Sequence, residues 1–99
     1  LTMLQELAQK VALILKEENE NGFTITLKVK YYDFSLITRC QTLKEATSCS
    51  EIIFKTAAEL LKKSEAGRKK IRLLGISVSN FESIRIEKIR YVQLELPFL

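Results

Sequence analysis

Several residues on which enzyme and metal sites depend are scarce in this sequence. It contains no histidine, one proline and two cysteines in 99 residues. Histidine is the usual proton donor and acceptor near neutral pH, and a zinc site needs about four ligands. Cys40 and Cys49 are too few for a disulfide scaffold. There is also no glycine-rich phosphate loop and no carboxylate cluster. The sequence therefore predicts no catalytic residue, no metal site and two reduced, partly buried thiols.

Long apolar runs are also missing. None could span a bilayer, and Gln5, Glu6 and Lys10 interrupt the opening stretch, so no signal peptide is expected. Hydrophobic residues make up 46% and charged residues 28%, as in one soluble domain. We expect a cytoplasmic protein without a membrane partner. Because the chain starts at Leu1, we also expect it to be a fragment.

The hydrophobic periodicity predicts a small α+β domain. Apolar side chains recur at helical spacing over residues 2–18 and from Glu51 to about Lys63. Residues 23–31 alternate regularly as a strand, and residues 34–43 and 71–78 are predicted strands whose alternation is imperfect. Ser48 is placed to cap the second helix, and Gly75 is the expected bulge residue. The resulting order, α-β-β-α-β, predicts a two-layer sandwich. Its two helices cover one face of a small, mainly antiparallel sheet.

The opposite face of that sheet is predicted to be polar and basic. Lysine, arginine, serine and threonine side chains with almost no aromatics favour contacts to phosphates over stacking on bases. The net charge of +4 is too modest to establish such a role by itself. From pattern alone, an ordinary solvated face is slightly favoured over a phosphate-contacting surface.

Three stretches resemble one known family. The segment TLKVKYYDFSLITRCQTL at 26–43 is similar to the hairpin of the little-finger domain of Y-family DNA polymerases, and IRLLGISVSNF at 71–81 resembles that domain's closing strand. The end of the chain, QLELPFL at 93–99, resembles the family's C-terminal sliding-clamp-binding motif. The similarity is greatest to bacterial polymerases of the DNA polymerase IV type and to related plasmid- or phage-borne lesion-bypass polymerases.

The resemblance implies a fold and a division of the chain. The family order is β-α-β-β-α-β, so the first strand is missing here. Residues 1–81 would be the little-finger DNA-binding domain, and residues 82–99 a tail with the clamp-binding motif. The missing strand leaves a sheet edge open, which residues 84–91 could pair with in their own or a neighbouring molecule.

The resemblance also implies a function. The parent protein would be an error-prone, translesion DNA-directed DNA polymerase, a nucleotidyltransferase of DNA repair and the SOS response. Its Mg²⁺ would be held in a palm domain outside this chain. The little finger itself would grip the primer–template duplex without catalysing anything. Its candidate DNA-binding residues are Lys28, Lys30, Thr38, Arg39, Gln41, Thr42, Lys69, Lys70, Arg72, Ser77 and Ser79.

The tail has a separate predicted partner, the bacterial sliding clamp. Gln93 would anchor the entry of an extended peptide, while Leu96 and Phe98 fill an apolar pocket flanked by Leu94 and Leu99. Two alternatives are an RNA-binding α/β module, which would show aromatics on its sheet face, and an oligomerising domain whose edge strand or tail associates with a second copy. Asp33, the one acid in the hairpin, is expected to serve turn formation.

Overall fold

The computed structural model describes residues 3–64, 69–81 and 91–97, with the backbone alone for residues 91–96. The elements are α1 (Met3–Glu17), β1 (Gly22–Tyr31), β2 (Leu36–Thr47), α2 (Ser50–Lys62), β3 (Ile71–Phe81) and β4 (Tyr91–Pro97). The strands form an antiparallel sheet in the order β2-β1-β3-β4. Within the described ranges, no helix is long and apolar enough to cross a membrane.

The predicted two-layer α+β sandwich is confirmed. Both helices pack on the sheet face that carries the apolar phase of β1, so the helix stripes and this phase form one core. Alternating residues of β1 point into it because successive strand side chains face opposite ways. The fully buried members with the largest side chains are Leu7, Val11, Leu15, Ile25, Leu27, Val29, Tyr31, Ile53, Leu74, Ile76 and Val78.

The turn after α1 closes with a residue in the left-handed conformation. Asn19 has a positive φ of 54°, and the Glu20 N–H donates to the carbonyl of Leu15 over 2.9 Å. The Asn19 N–H donates to the carbonyl of Lys16, which completes the two-bond pattern of a left-handed helix cap. Gly22 has another purpose, because a Cβ there would collide with the side chain of Val78 on β3.

Some local predictions were wrong. Helix α2 begins at Ser50, with Cys49 as the N-cap residue and no side-chain cap from Ser48. Thr47 orders this start instead, since its hydroxyl accepts a hydrogen bond from the Cys49 N–H over 2.9 Å. Both Cys49 and Cys40 are free but exposed rather than partly buried. Cys40 is on an edge strand, where less of the sheet covers it.

The predicted bulge is displaced from Gly75. Between β1 and β3 the register is regular from Gly22 to Lys30 and then shifts, because Lys30 faces Leu73 but Tyr31 faces Ile71. The additional residue is therefore Arg72. A bulge redirects the side chain that it carries. Arg72 consequently leaves the regular alternation of β3 at the hairpin end of the sheet.

The end of the chain supplies the fourth strand. Residues Tyr91–Pro97 pair antiparallel with β3, from Ser79 opposite Tyr91 to Leu73 opposite Pro97. The strand covers the β3 edge that was expected to be open. Of the segment predicted to pair with that edge, residues 84–90 lie outside the described part of the chain. The proposed boundary after residue 81 stays a prediction.

Candidate nucleic-acid interface

The register of the strands fixes which predicted DNA-binding residues share a surface. Directly opposite residues of an antiparallel pair project from the same face. Lys28 faces Thr38 on β2 and Gly75 on β3, and Lys30 faces Leu36 and Leu73. We call the sheet side away from the helices the outer face. By register, it carries Lys28, Lys30, Thr38, Thr42, Ser77 and Ser79.

Side-chain hydrogen bonds link three strands at the end of the outer face away from the β1–β2 turn. The Asn80 side-chain amide donates to Thr24 Oγ1 over 2.7 Å, and Thr24 Oγ1 is 3.2 Å from Thr42 Oγ1. Asn80 has a positive φ of 56°. These bonds link β3, β1 and β2 side by side. Thr42 therefore helps to hold the face together in addition to any contact that it makes with a ligand.

Two predicted residues, Arg39 and Gln41, are on the other side of the sheet. Arg39 faces Leu27 and Gln41 faces Ile25, which are core residues. Both remain exposed because β2 is an edge strand. The Arg39 guanidinium donates to the Thr38 carbonyl over 3.0 Å. The sequence grouped Arg39 with Arg72 as a phosphate contact, but the register separates it from the lysines of the outer face.

The turn between β1 and β2 is organised by Asp33. Its Oδ1 accepts hydrogen bonds from the Ser35 hydroxyl over 2.6 Å and from the Ser35 N–H over 2.9 Å. Lys69 Nζ is 3.1 Å from Oδ2 of the same carboxylate. The expected turn role of Asp33 thus matches the geometry. The same contacts draw the start of β3 toward the hairpin.

We expect these contacts to be visible in an acid titration. Hydrogen bonds from Ser35 and the neighbouring Lys69 lower the pKa of Asp33 from 3.8 to about 2. The stabilisation of the folded state by these contacts is complete above the ordinary pKa of 3.8 and is lost as the pH falls through about 2. Carboxyl-carbon NMR should give that low midpoint, and Ser35→Ala should move it upward. An unchanged midpoint in Ser35→Ala would contradict this assignment.

Aromatic rings next to the turn were not predicted from the sequence. Phe34 is 64% exposed and has a positive φ of 68°. The Arg72 guanidinium carbon lies 4.7 Å from the centre of its ring, and Lys30 Nζ lies 5.6 Å from it. The outer face is therefore bordered by an aromatic group. An aromatic residue inside a tight turn, where no core can cover it, is the signal that could have indicated this.

A second ring and cation lie beside the first. Tyr32 is 51% exposed, and Lys70 Nζ lies 5.5 Å from its ring centre. The Tyr32 N–H donates to the Lys70 carbonyl over 3.0 Å, which fixes the two segments to each other. The predicted basic residues Lys69, Lys70 and Arg72 thus gather at the hairpin end of the sheet.

The predicted clamp-binding residues are divided between described and undescribed positions. In β4, Gln93 is opposite Ser77 of β3 and Leu94 is opposite Ile76. Leu96 is opposite Leu74. Phe98 and Leu99 lie outside the described residues. The central part of the motif is therefore backbone-paired to β3. No three histidine, cysteine, aspartate or glutamate residues within the described ranges are grouped so that they could hold a metal ion.

Comparison with known proteins defines the class of the domain. The profile described as the impB/mucB/samB family C-terminal domain matches residues 1–96. The chain therefore belongs to this family, as the C-terminal domain of a Y-family DNA polymerase, and the resemblance seen in the sequence is confirmed.

Curated relatives carry a common name. DNA polymerase IV of Listeria welshimeri is 38% identical over 87 residues, which are 88% of this chain and 24% of the relative. DNA polymerase IV of Streptococcus suis is 41% identical over 80 residues, 81% of this chain and 22% of the relative. DNA polymerase IV of Alkalilimnicola ehrlichii is 39% identical over 94 residues, which are 95% of this chain and 26% of the relative. The chain thus spans about a quarter of these relatives.

Proposed function

We propose that this chain is the non-catalytic, DNA-binding part of an error-prone translesion DNA polymerase. It would grip the primer–template duplex through phosphate contacts and dock on the sliding clamp through its C-terminal peptide. The observation that carries the proposal is the family match over residues 1–96, together with relatives named DNA polymerase IV. The basic outer face supplies a surface of suitable chemistry.

The outer face suits contacts that do not read sequence. Lys28 and Lys30 are two residues apart in β1, so both ammonium groups lie on the same side of the sheet. Threonine and serine hydroxyls from the flanking strands add neutral hydrogen bonds. Charges of this kind provide affinity for phosphates, whereas sequence is read at base edges. Such a grip would tolerate a damaged template.

The reaction itself belongs to the whole polymerase. In our proposal, the parent transfers nucleotides to a DNA primer and uses Mg²⁺ held in a separate palm domain. The described residues of this chain gather no set of carboxylates to hold that ion. Its contribution would be to position the duplex. We place the parent in the bacterial cytoplasm and in the SOS response to DNA damage.

Clamp docking is the second part of the proposal. Its support is the sequence of the tail, in which Gln93, Leu96 and Phe98 have the order of the family's motif. Because Tyr91–Pro97 is paired with β3, docking as an extended peptide requires this strand to leave the sheet. Edge strands can do so at the cost of one ladder of hydrogen bonds. Pairing of the tail with β3 and binding of the tail to the clamp would therefore be mutually exclusive.

A comparison of two arginine variants tests the DNA grip. Arg72→Ala should weaken binding to a blunt duplex and reduce the slope of log K against log salt by about one, because one phosphate contact is lost. Arg39→Ala removes the same charge from an exposed residue on the opposite side of the sheet, so its effect should be smaller. Fluorescence anisotropy at several salt concentrations would measure both.

The outcomes separate the possible functions. Equal losses in the two variants would show that the duplex also reaches the β2 edge, as the sequence analysis predicted for Arg39. Unchanged affinity and slope in Arg72→Ala would contradict the assigned surface. Tighter binding of the unmodified chain to single-stranded RNA than to duplex DNA would contradict the proposed function and revive the RNA-binding alternative.

A further inference from the structure

The hairpin end of the sheet has a chemistry that a duplex grip alone does not require. We define the hairpin-end platform as Phe34 and Tyr32 with the cations Lys30, Lys70 and Arg72. We propose that this platform binds a single-stranded DNA extension next to the duplex, with an unpaired base stacked on Phe34. The inference rests on the proposed function and deepens it by adding a second kind of DNA contact.

The backbone conformation of Phe34 supports this proposal. A bulky residue with a positive φ is a genuine outlier, and such strain is characteristic of functional positions. Core packing does not explain it, since the side chain is 64% exposed. Asparagine or glycine would form the same turn at lower cost. The ring is therefore held at the surface by a backbone that a smaller residue would suit better.

Positive charges surround the Phe34 ring. Arg72 and Lys30 both approach the Phe34 ring, at 4.7 and 5.6 Å from its centre. Aromatic rings combined with arginine and lysine are the usual components of sites for single-stranded nucleic acids. A base can stack on the ring or on the guanidinium plane, while the ammonium group contacts the next phosphate. Ring and cations are thus close enough to contact one nucleotide together.

The excess of positive charge favours a nucleic acid as the occupant. Lys30, Lys69, Lys70 and Arg72 converge here with a single described carboxylate, Asp33, which already accepts hydrogen bonds from Ser35 and an ion pair from Lys69. Tyr32 and Lys70 repeat the combination of ring and cation beside Phe34. Lys30 also belongs to the outer face, so the platform continues the proposed duplex surface without a break.

The primary test compares two DNA ligands. A duplex with a short single-stranded extension should bind more tightly than the same duplex with blunt ends, by about 5- to 150-fold, the usual effect of stacking one base. Phe34→Asn should lose this gain and retain blunt-duplex affinity. Its thermal stability should be equal or higher, because asparagine tolerates a positive φ. Leu36→Thr, which removes a nearby exposed apolar side chain, should retain the gain.

A spectroscopic test distinguishes stacking from charge. The chain contains no tryptophan, so Phe34→Trp introduces a single indole at the platform. An extension with bases should quench its fluorescence, whereas an abasic extension should not quench it and should lose most of the affinity gain.

Several results would overturn the inference. One is a gain that persists in Phe34→Asn or with the abasic extension, and another is a gain that Leu36→Thr abolishes. Blunt-duplex binding without any gain from the extension would also remove the inference but leave the proposed function intact. Failure of the unmodified chain to bind blunt duplex would instead contradict the proposed function.

Discussion

Clamp binding should disappear when β4 is locked to β3 by a disulfide. Leu73 and Pro97 are directly opposite each other, and opposite Cα atoms of antiparallel strands are about 4.5–5.5 Å apart, within the range that a disulfide spans. Leu73→Cys with Pro97→Cys should therefore form a bridge on oxidation. The bridged strand cannot leave the sheet, so its backbone is not available to the clamp. Surface plasmon resonance on immobilised clamp would measure the loss.

The same protein provides its own control, since reduction should restore binding. For the Leu73–Pro97 bridge, both native cysteines must first be replaced by serine, because both are exposed and free. A second disulfide tests whether any bridge within the sheet abolishes clamp binding. Thr26 faces Cys40 across β1 and β2, so Thr26→Cys with the native Cys40 fixes a strand pair away from the tail. That bridge should leave clamp binding unchanged.

Equal clamp affinity in the oxidised and reduced forms of the Leu73–Pro97 pair would contradict the proposed exchange. The peptide would then bind while still in the sheet, or other residues would provide the contact. A loss of binding in both forms would show that Pro97 is itself required. The bridge should in that case be moved to Gly75 and Glu95, the next outer-face pair along the two strands.

The largest effect on stability is expected at the centre of the sheet. Leu27 is fully buried on β1, which pairs with β2 on one side and β3 on the other. Leu27→Ala should lower the free energy of unfolding by about 2–5 kcal/mol, through lost apolar burial and the cavity left behind. This is a large fraction of the total stability of a small domain, which is about 5–15 kcal/mol. Urea unfolding followed by circular dichroism would measure it.

A matched leucine on α1 separates burial from residue type. Leu13 is 57% exposed, so Leu13→Ala removes the same atoms from the surface. Its effect should be within about 0.5 kcal/mol. Similar losses in the two variants would contradict the placement of Leu27 in the core.

The elements with strong periodicity could be predicted from the sequence. Leu7, Val11 and Leu15 repeat at helical spacing, and the alternation in β1 predicts both its buried phase and the outward direction of Lys28 and Lys30. These signals are local, because helix and strand geometry alone decide which side chains share a face. The polar face of the sheet therefore followed from the sequence with its main lysines correct.

The position of an arginine relative to that face did not follow. Arg39 and Arg72 look alike in the sequence, but the side on which each lies depends on pairing and on one inserted residue. A shift of one residue moves every side chain of a strand to the other face. The register puts Arg39 opposite Leu27, and the bulge places Arg72 beside Phe34. Neither can be deduced from one strand by itself.

What the sequence by itself determined about this protein is its class, its two layers and the apolar stripes that fill the core, because each arises from residues close together in the chain. Only the tertiary structure decided that residues 91–97 form a strand paired with β3 and that Arg72 and Lys30 lie against the Phe34 ring. An apolar segment such as Tyr91–Pro97 has the same sequence whether it is free or paired. The edge of β3, which is formed by residues distant in sequence, provides the hydrogen-bonding partner that makes it a strand.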